Sequence, residues 1–292
     1  MSVLTPIDRL FALYAKSVER SLLWLVASQP LARRIFALTA PLTCRMPKGT
    51  TVEILPGGSQ ILTPQGTEGK GFFFYIHGGG FTIGSPGTHR AMVAHIAAAA
   101  GLRAYLVRYP LAPEHPCPAA SDAVFAAYQQ LVQSGDAPIA IGGDSAGGNL
   151  AVLTLQRARD AGLPLPKAAT LIAPIADLSD SLEARFSAAP SERLIPAAWA
   201  KRIERAYLPG VDASDPSVSP LNGDLTGLPP TLLQAAEGEV LAQDAAALAA
   251  RMDDASLDLW PGLQHVWHLK AGVAPAATQA CNALGSFLKA HT

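Results

Sequence analysis

Cysteine is scarce in this chain. There are three in 292 residues, Cys44, Cys117 and Cys281. They are odd in number and show neither metal spacing nor the density of a disulfide framework, so they read as buried thiols in a reducing compartment, and a cytoplasmic protein is expected. Charge is thin as well, with 15% Asp, Glu, Lys and Arg and a formal net charge of -1. That balance gives no reason to expect nucleic acid or an acidic membrane surface as a partner. Asp8, Arg9, Lys16, Glu19 and Arg20 interrupt the apolar N-terminus. It therefore lacks the unbroken centre of a secretory signal, and no run reaches the ~20 apolar residues of a membrane span. Internal repeats and low-complexity tracts are also missing.

What is plentiful is apolar residues, 49% of the chain, which excludes global disorder. A chain of this length can bury one large α/β core with a small insertion. The N-terminal stretch carries Leu10, Phe11, Tyr14, Leu22, Trp24 and Leu25 at amphipathic-helix spacing, either packed on the core or forming a lid. From Thr51 short β-prone runs begin: residues 51–55, 60–63 and 72–76. Thr88 is a plausible N-cap for a helix through Ala100, stopped by Gly101. Strand 103–108, helix 119–133, strand 138–142 with its helix to about residue 160, and strand 170–173 follow. Alternation lapses between Asp177 and Pro220, where Ile195 to Leu208 looks like one inserted helix. It resumes with strand 231–236, a helix bearing Leu241, Ala245, Leu248 and Met252, strand 257–260, and a final helix from about Pro275. Strands alternating with helices predict a mostly parallel sheet covered by helices on both faces.

Two motifs carry chemistry. The run Pro138 to Gly142 leads into Gly143-Asp144-Ser145-Ala146-Gly147, followed by an alanine- and leucine-rich helix. This is the strand, turn and helix context of a nucleophile elbow, in which a serine is held on a sharp turn. Gly143 and Gly147 leave room for the turn because neither has a Cβ. Gly-x-Ser-x-Gly alone is weak, since a composition like this one produces it by chance in roughly one chain in eight. Upstream, however, the strand Phe72 to Ile76 runs into His77-Gly78-Gly79-Gly80, the His-Gly-Gly-Gly form of an oxyanion loop.

With Tyr109-Pro110-Leu111-Ala112-Pro113-Glu114-His115-Pro116 added, these ordered motifs resemble the hormone-sensitive-lipase family of bacterial esterases. The resemblance runs from about residue 50 to the C-terminus. It implies an α/β-hydrolase fold and an oxyanion hole from the N–H groups of Gly79, Gly80 and Ala146. It also implies a helical cap built from residues 1–48 and an insertion at about 178–215, over a catalytic domain of residues 49–292. The Ala-Pro-Glu-His-Pro segment would be a structural turn.

The fold requires the order serine, acid, histidine. His77, His89, His95 and His115 precede Ser145, and His291 sits at the end of the chain. That leaves His265 and His268, of which His265 directly follows the last strand and its Pro-Gly turn. The acid belongs after strand 231–236, where Glu237-Gly238-Glu239-Val240-Leu241 stands. Many relatives have Asp-Pro-Leu there; matching Leu241 to that leucine selects Glu239, and Glu237 is the alternative. Asp177, Asp180 and Asp215 fall in the insertion, Asp258 lies inside a strand, and Asp244 is already helical.

The expected activity is hydrolysis of short-chain carboxylic esters through Ser145, His265 and Glu239, without a cofactor or metal. A small-molecule ester is the expected partner. An amidase or lactonase would use the same groups, and a non-catalytic ligand-binding α/β-hydrolase is the reading from another class. Trp24 and Phe11 are expected to close a short pocket. Strand 257–260 would be a sheet edge, and with apolar positions on the last helix it suggests a homodimer.

Overall fold

The β-prone runs assemble into one eight-stranded sheet, seen in a computed structural model that describes residues 4–292. Its strands are β1 (Thr51–Ile54), β2 (Gln60–Thr63), β3 (Phe72–Ile76), β4 (Arg103–Val107), β5 (Ala140–Asp144), β6 (Ala168–Ile172), β7 (Thr231–Ala236) and β8 (Ala255–Trp260). The spatial order is β1-β2-β4-β3-β5-β6-β7-β8. Pairings β1–β2 and β2–β4 are antiparallel; all others are parallel. β3, β5 and β6 are buried along their whole length, which is why they read as continuous apolar runs rather than alternating ones.

Successive side chains of β3 point to opposite faces and so enter two different cores. Phe73 and Tyr75 pack with Met92 and Ile96 of α4 (Pro86–Ala100) and Leu284 of α10 (Pro275–His291). The helices α1 (Pro6–Tyr14), α2 (Arg20–Leu25) and α3 (Gln29–Thr39) precede the sheet, with a π turn (Ala15–Glu19) between the first two. Phe74 and Ile76 pack with Val124 of α5 (Ala119–Gln133) and Leu150 of α6 (Ala146–Asp160). Between β6 and β7 lie α7 (Leu182–Ser187) and α8 (Ala197–Tyr207), and α9 (Ala242–Arg251) joins β7 to β8.

Three local expectations are corrected. The N-cap of α4 lies three residues before Thr88. Ser85 is its N-cap, accepting from Thr88 N–H, while Thr88 Oγ1 accepts from Ser85 N–H at 3.0 Å. Pro86 occupies the first helical position, where its missing donor costs nothing. The insertion holds two helices rather than one, because Ser181 caps a six-residue helix upstream of α8. The apolar positions of α10 are not exposed either. Cys281, Leu284 and Leu288 are fully buried, and Gly285 sits so close to α4 that a Cβ would fall 2.5 Å from Ala99 Cβ.

The N-terminal helices and the insertion touch one another. Arg20 Nη1 donates to Ile195 O at 2.8 Å, and Arg202 donates to Leu23 O. Arg33 of α3 donates to Thr82 O and Ala112 O, both at 2.7 Å, and pairs with Glu114 at 2.6 Å. The Ala-Pro-Glu-His-Pro turn thus anchors α3 beside the glycine loop. No helix among the described residues is long and apolar enough to cross a membrane.

Candidate active site

Register places the site. Ile76 pairs with Gly143, so the loops leaving β3 and β5 emerge side by side. Ala236 pairs with Trp260, and so do the loops leaving β7 and β8. All four open at the carboxyl ends of parallel strands, where ligands bind in open α/β sheets.

Ser145 stands between β5 and α6 with φ 54° and ψ -120°, a strained backbone for a residue with a Cβ. Its N–H donates to Ile172 O at 2.8 Å, and α6 starts immediately after it. The turn is possible because its neighbours lack side chains. A Cβ on Gly147 would lie 2.1 Å from Ile76 O, and one on Gly143 2.3 Å from Gly147 O.

In the facing loop, Gly79 and Gly80 have φ of 117° and 57°, a region that favours glycine. The three glycines differ in what their N–H groups do. Gly78 N–H donates to Asp144 Oδ1 at 3.0 Å. Those of Gly79, Gly80 and Ala146 donate to no other described residue. Gly79 lines the same cavity as Ser145, and Ala146 opens α6 directly after it, an arrangement suited to developing negative charge.

His265 and Glu239 meet at the other side. His265 Nδ1 lies 2.5 Å from Glu239 Oε2, and both side chains are buried. Because a carboxylate only accepts, Nδ1 carries the proton and Nε2 is left as the basic nitrogen. Glu239 Oε1 accepts from Ala236 N–H at 2.6 Å, which fixes the carboxylate against the end of β7. Burial alone would lower the imidazole pKa. The charge of Glu239 and its hydrogen bond, with Glu192 and Asp144 adding to them, outweigh burial and raise it above the usual 6.5. Ser145 and His265 line the same cavity of about 150 Å³, although no hydrogen bond joins them among the described residues. Such contacts often tighten only with substrate bound.

The remaining candidates lie elsewhere. Glu237 is exposed and meets β8 only through its backbone, its N–H donating to Trp260 O. His268 Nε2 bonds Gln234 Oε1 at 2.8 Å, and burial lowers its pKa to about 3. Asp244 accepts from the N–H groups of Ala176 and Asp177 and pairs with Arg185, supporting the loop after β6. Asp258 accepts from Trp260 Nε1 at 2.7 Å. His77 braces the glycine loop, with Nδ1 2.9 Å from Gly78 O and its ring stacked on Tyr109. His95 bonds Arg45 O and His291 bonds Phe287 O. Among the described residues no three His, Cys, Asp or Glu side chains converge as a metal site.

Sequence reading missed two buried groups. Asp144 takes hydrogen bonds from Tyr75 Oη at 2.9 Å and from Gly78 N–H, and lies 3.3 Å from His89 Nε2. Burial opposes its ionisation, but His89 and the hydroxyl of Tyr75 hold its carboxyl below the usual carboxylate range. Standing directly before Ser145, it thereby ties the glycine loop to the nucleophile turn. Glu192, in the insertion, accepts from Leu194 and Ile195 N–H and reaches Val240 N–H at 3.3 Å, beside Glu239.

The cavity wall also differs from expectation. Trp24 is 60% exposed, and Phe11 packs beside Leu263 and Trp267. Tyr14, Leu22, Leu23, Val26 and Phe36 line the cavity instead, with Trp199 of α8.

Comparison with known proteins agrees with this architecture. A family model for the α/β-hydrolase fold matches residues 73–269. An acetyl-hydrolase of Streptomyces hygroscopicus is 38% identical over 253 residues, covering 85% of this chain and 84% of that one. An esterase of Acinetobacter venetianus is 34% identical, covering 84% of each. The crystal structure of an esterase from the bacterial hormone-sensitive lipase family superposes with a TM-score of 0.90 at 34% identity, covering 100% of this chain and 99% of that one. The chain belongs to the hormone-sensitive-lipase family of α/β-hydrolase esterases.

Proposed function

We propose that this protein is a serine carboxylesterase that hydrolyses short-chain carboxylic esters through Ser145, His265 and Glu239. The observation that carries the reading is the 2.5 Å contact between His265 Nδ1 and Glu239, which leaves Nε2 basic on the wall of the cavity that Ser145 also lines. In the first half-reaction His265 Nε2 takes the Ser145 proton as Oγ bonds to the ester carbonyl carbon. Gly79, Gly80 and Ala146 N–H groups hold the oxyanion, each donor worth about 3 kcal/mol in such sites. The tetrahedral intermediate collapses, the C–O bond to the alcohol breaks, and Nε2 returns its proton to the leaving oxygen. Water then attacks the acyl-enzyme by the same route, releasing the carboxylic acid and restoring the serine. Glu239 holds the tautomer and stabilises the imidazolium.

Residues 1–48 and the insertion at about 178–215 act as a cap. The cross-contacts of Arg20 and Arg202 support this, as do the apolar side chains both segments give to the cavity. A cavity of about 150 Å³ suits acyl chains of roughly two to eight carbons. The three free cysteines fit a cytoplasmic location. β8 is an edge strand with Leu259 exposed, which supports a homodimer paired along that edge.

Labelling with a fluorophosphonate probe, followed by peptide mapping, tests the reading. One adduct on the peptide containing Ser145, blocked by a competing short-chain ester, is expected. Failure to label, or labelling elsewhere, would overturn it.

A further inference from the structure

The net charge of -1 conceals a strong asymmetry. Seven of the 22 basic residues but only two of the 23 acidic ones fall in residues 1–48, so this segment is formally +5 and the rest of the chain -6. Neither acid faces solvent freely. Asp8 is buried as part of the α1 cap, and Glu19 is half-buried against Lys270. Arg9, Lys16, Arg34, Arg45 and Lys48, by contrast, are exposed, and none is in an ion pair among the described residues.

The same segment carries an unusual amount of uncovered apolar side chain. Nine of the twelve large hydrophobics exposed at the surface lie between Ile7 and Leu42. Their spacing is regular. In α1 Asp8 and Ala12, continued by Ala15 of the π turn, form a buried stripe, while Ile7, Leu10 and Leu13 point the other way. In α3, Leu31, Arg34 and Leu38 share one face at i, i+3 and i+7, away from Ala32 and Phe36. Tyr14, Leu22, Leu23, Ile35 and Phe36 all turn inward to line the cavity. The outer stripes of the N-terminal helices therefore look out from the roof of the site.

An apolar stripe interleaved with arginine and lysine, and free of exposed carboxylate, is the composition of helices that lie in the interface of an anionic bilayer. We propose that residues 6–48 form a membrane-docking surface which seats the protein on anionic phospholipid, with the leucines and Trp24 in the headgroup region and the cations on the phosphates. The occupant is identified by charge complementarity. A bilayer rich in phosphatidylglycerol offers the negative field that the +5 segment lacks within its own chain, and the -6 remainder points the molecule cap-first towards it. Docking brings the cavity roof to the layer in which apolar esters concentrate. It does not enlarge the cavity.

Vesicle co-sedimentation of the full chain provides the test. Vesicles of equal parts phosphatidylglycerol and phosphatidylcholine should carry the protein down at low salt. Pure phosphatidylcholine should bind it at least tenfold more weakly, and 0.5 M NaCl should release it. The variants R9E/K16E and L10S/L13S change exposed side chains outside the cavity. Each should weaken binding at least tenfold while hydrolysis of p-nitrophenyl acetate in free solution stays unchanged. Equal binding to both vesicle types, no binding to either, or charge reversal without effect would contradict the proposal. So would a dimer in light scattering that L10S/L13S converts to monomer, because the face would then belong to a second copy.

Discussion

Lys270 and Glu19, 251 positions apart, meet with Nζ 2.6 Å from Oε1 at the cavity wall, where Thr43 Oγ1 takes a second bond at 3.1 Å. The pair fastens the π turn between α1 and α2 to the segment just past His265. Lys270 is 7% exposed, so removing its partner leaves a cation with little water to solvate it. Because Glu19 is partly exposed, the cost falls below that of a fully buried pair. Glu19→Leu should destabilise the fold by about 2 kcal/mol, and adding Lys270→Met in the double variant E19L/K270M should recover most of the loss. Denaturant titration of the cycle checks this, and strictly additive effects would show that the two residues do not communicate.

Glu239 and Glu237 are two residues apart, yet only Glu239 turns inward to His265. Glu239→Ala should lower kcat by several orders of magnitude, about 10⁴-fold for loss of the orienting acid. Glu237→Ala should change it less than about threefold. Steady-state kinetics on both purified variants decides, and the reverse ranking would transfer the role to Glu237.

The base must be neutral to accept a proton. Since Glu239 raises the His265 pKa above 6.5 against the effect of burial, kcat/KM should rise with pH through a midpoint above that value. Glu239→Gln removes the opposing charge and leaves burial dominant, so residual activity should show a lower midpoint. The linked stability runs the other way. A pKa raised in the folded state stabilises it below the ordinary imidazole value, and that contribution is lost as pH rises through the folded value. A midpoint unmoved by Glu239→Gln would dissociate the two residues.

Gly147 lies against the carbonyl of Ile76 so closely that no Cβ fits. Gly147→Ala must push β3 from β5 or unwind the first turn of α6. A loss of at least about 2 kcal/mol is expected, together with activity, as overpacking at a rigid backbone contact predicts. Thermal unfolding measures it, and a wild-type melting temperature would mean that the turn is more pliable than described.

Much of this architecture is legible in the sequence because the signals are local. Phe72 to Ile76 is an unbroken apolar run ending at glycines, and Ala119 to Gln133 is a helix at the limits its pattern predicts. Ser145, His265 and the Glu237–Glu239 loop follow from motif and chain order. What was not legible depends on partners distant in sequence. Nothing near Asp144 announces Tyr75 or His89, 69 and 55 residues away, and Glu192 gains meaning only when Val240 arrives beside it. The helix Leu182–Ser187 is too short for periodicity to register and is held by a cap and by Arg185 on Asp244. Bulk and apolarity place Trp24 in the pocket by sequence, but on α2 Leu22 and Leu23 take that face.

Ser145 is the residue on which the proposed chemistry turns, and its replacement is the most direct measurement. Ser145→Ala keeps the backbone turn, since its N–H to Ile172 is untouched, and should melt within a few degrees of the wild type. Its turnover of p-nitrophenyl acetate should fall by about 10⁶-fold, as for loss of a catalytic serine that acts with its base as one unit. A folded Ser145→Ala protein that still hydrolyses the ester at a substantial fraction of the wild-type rate would contradict the assignment.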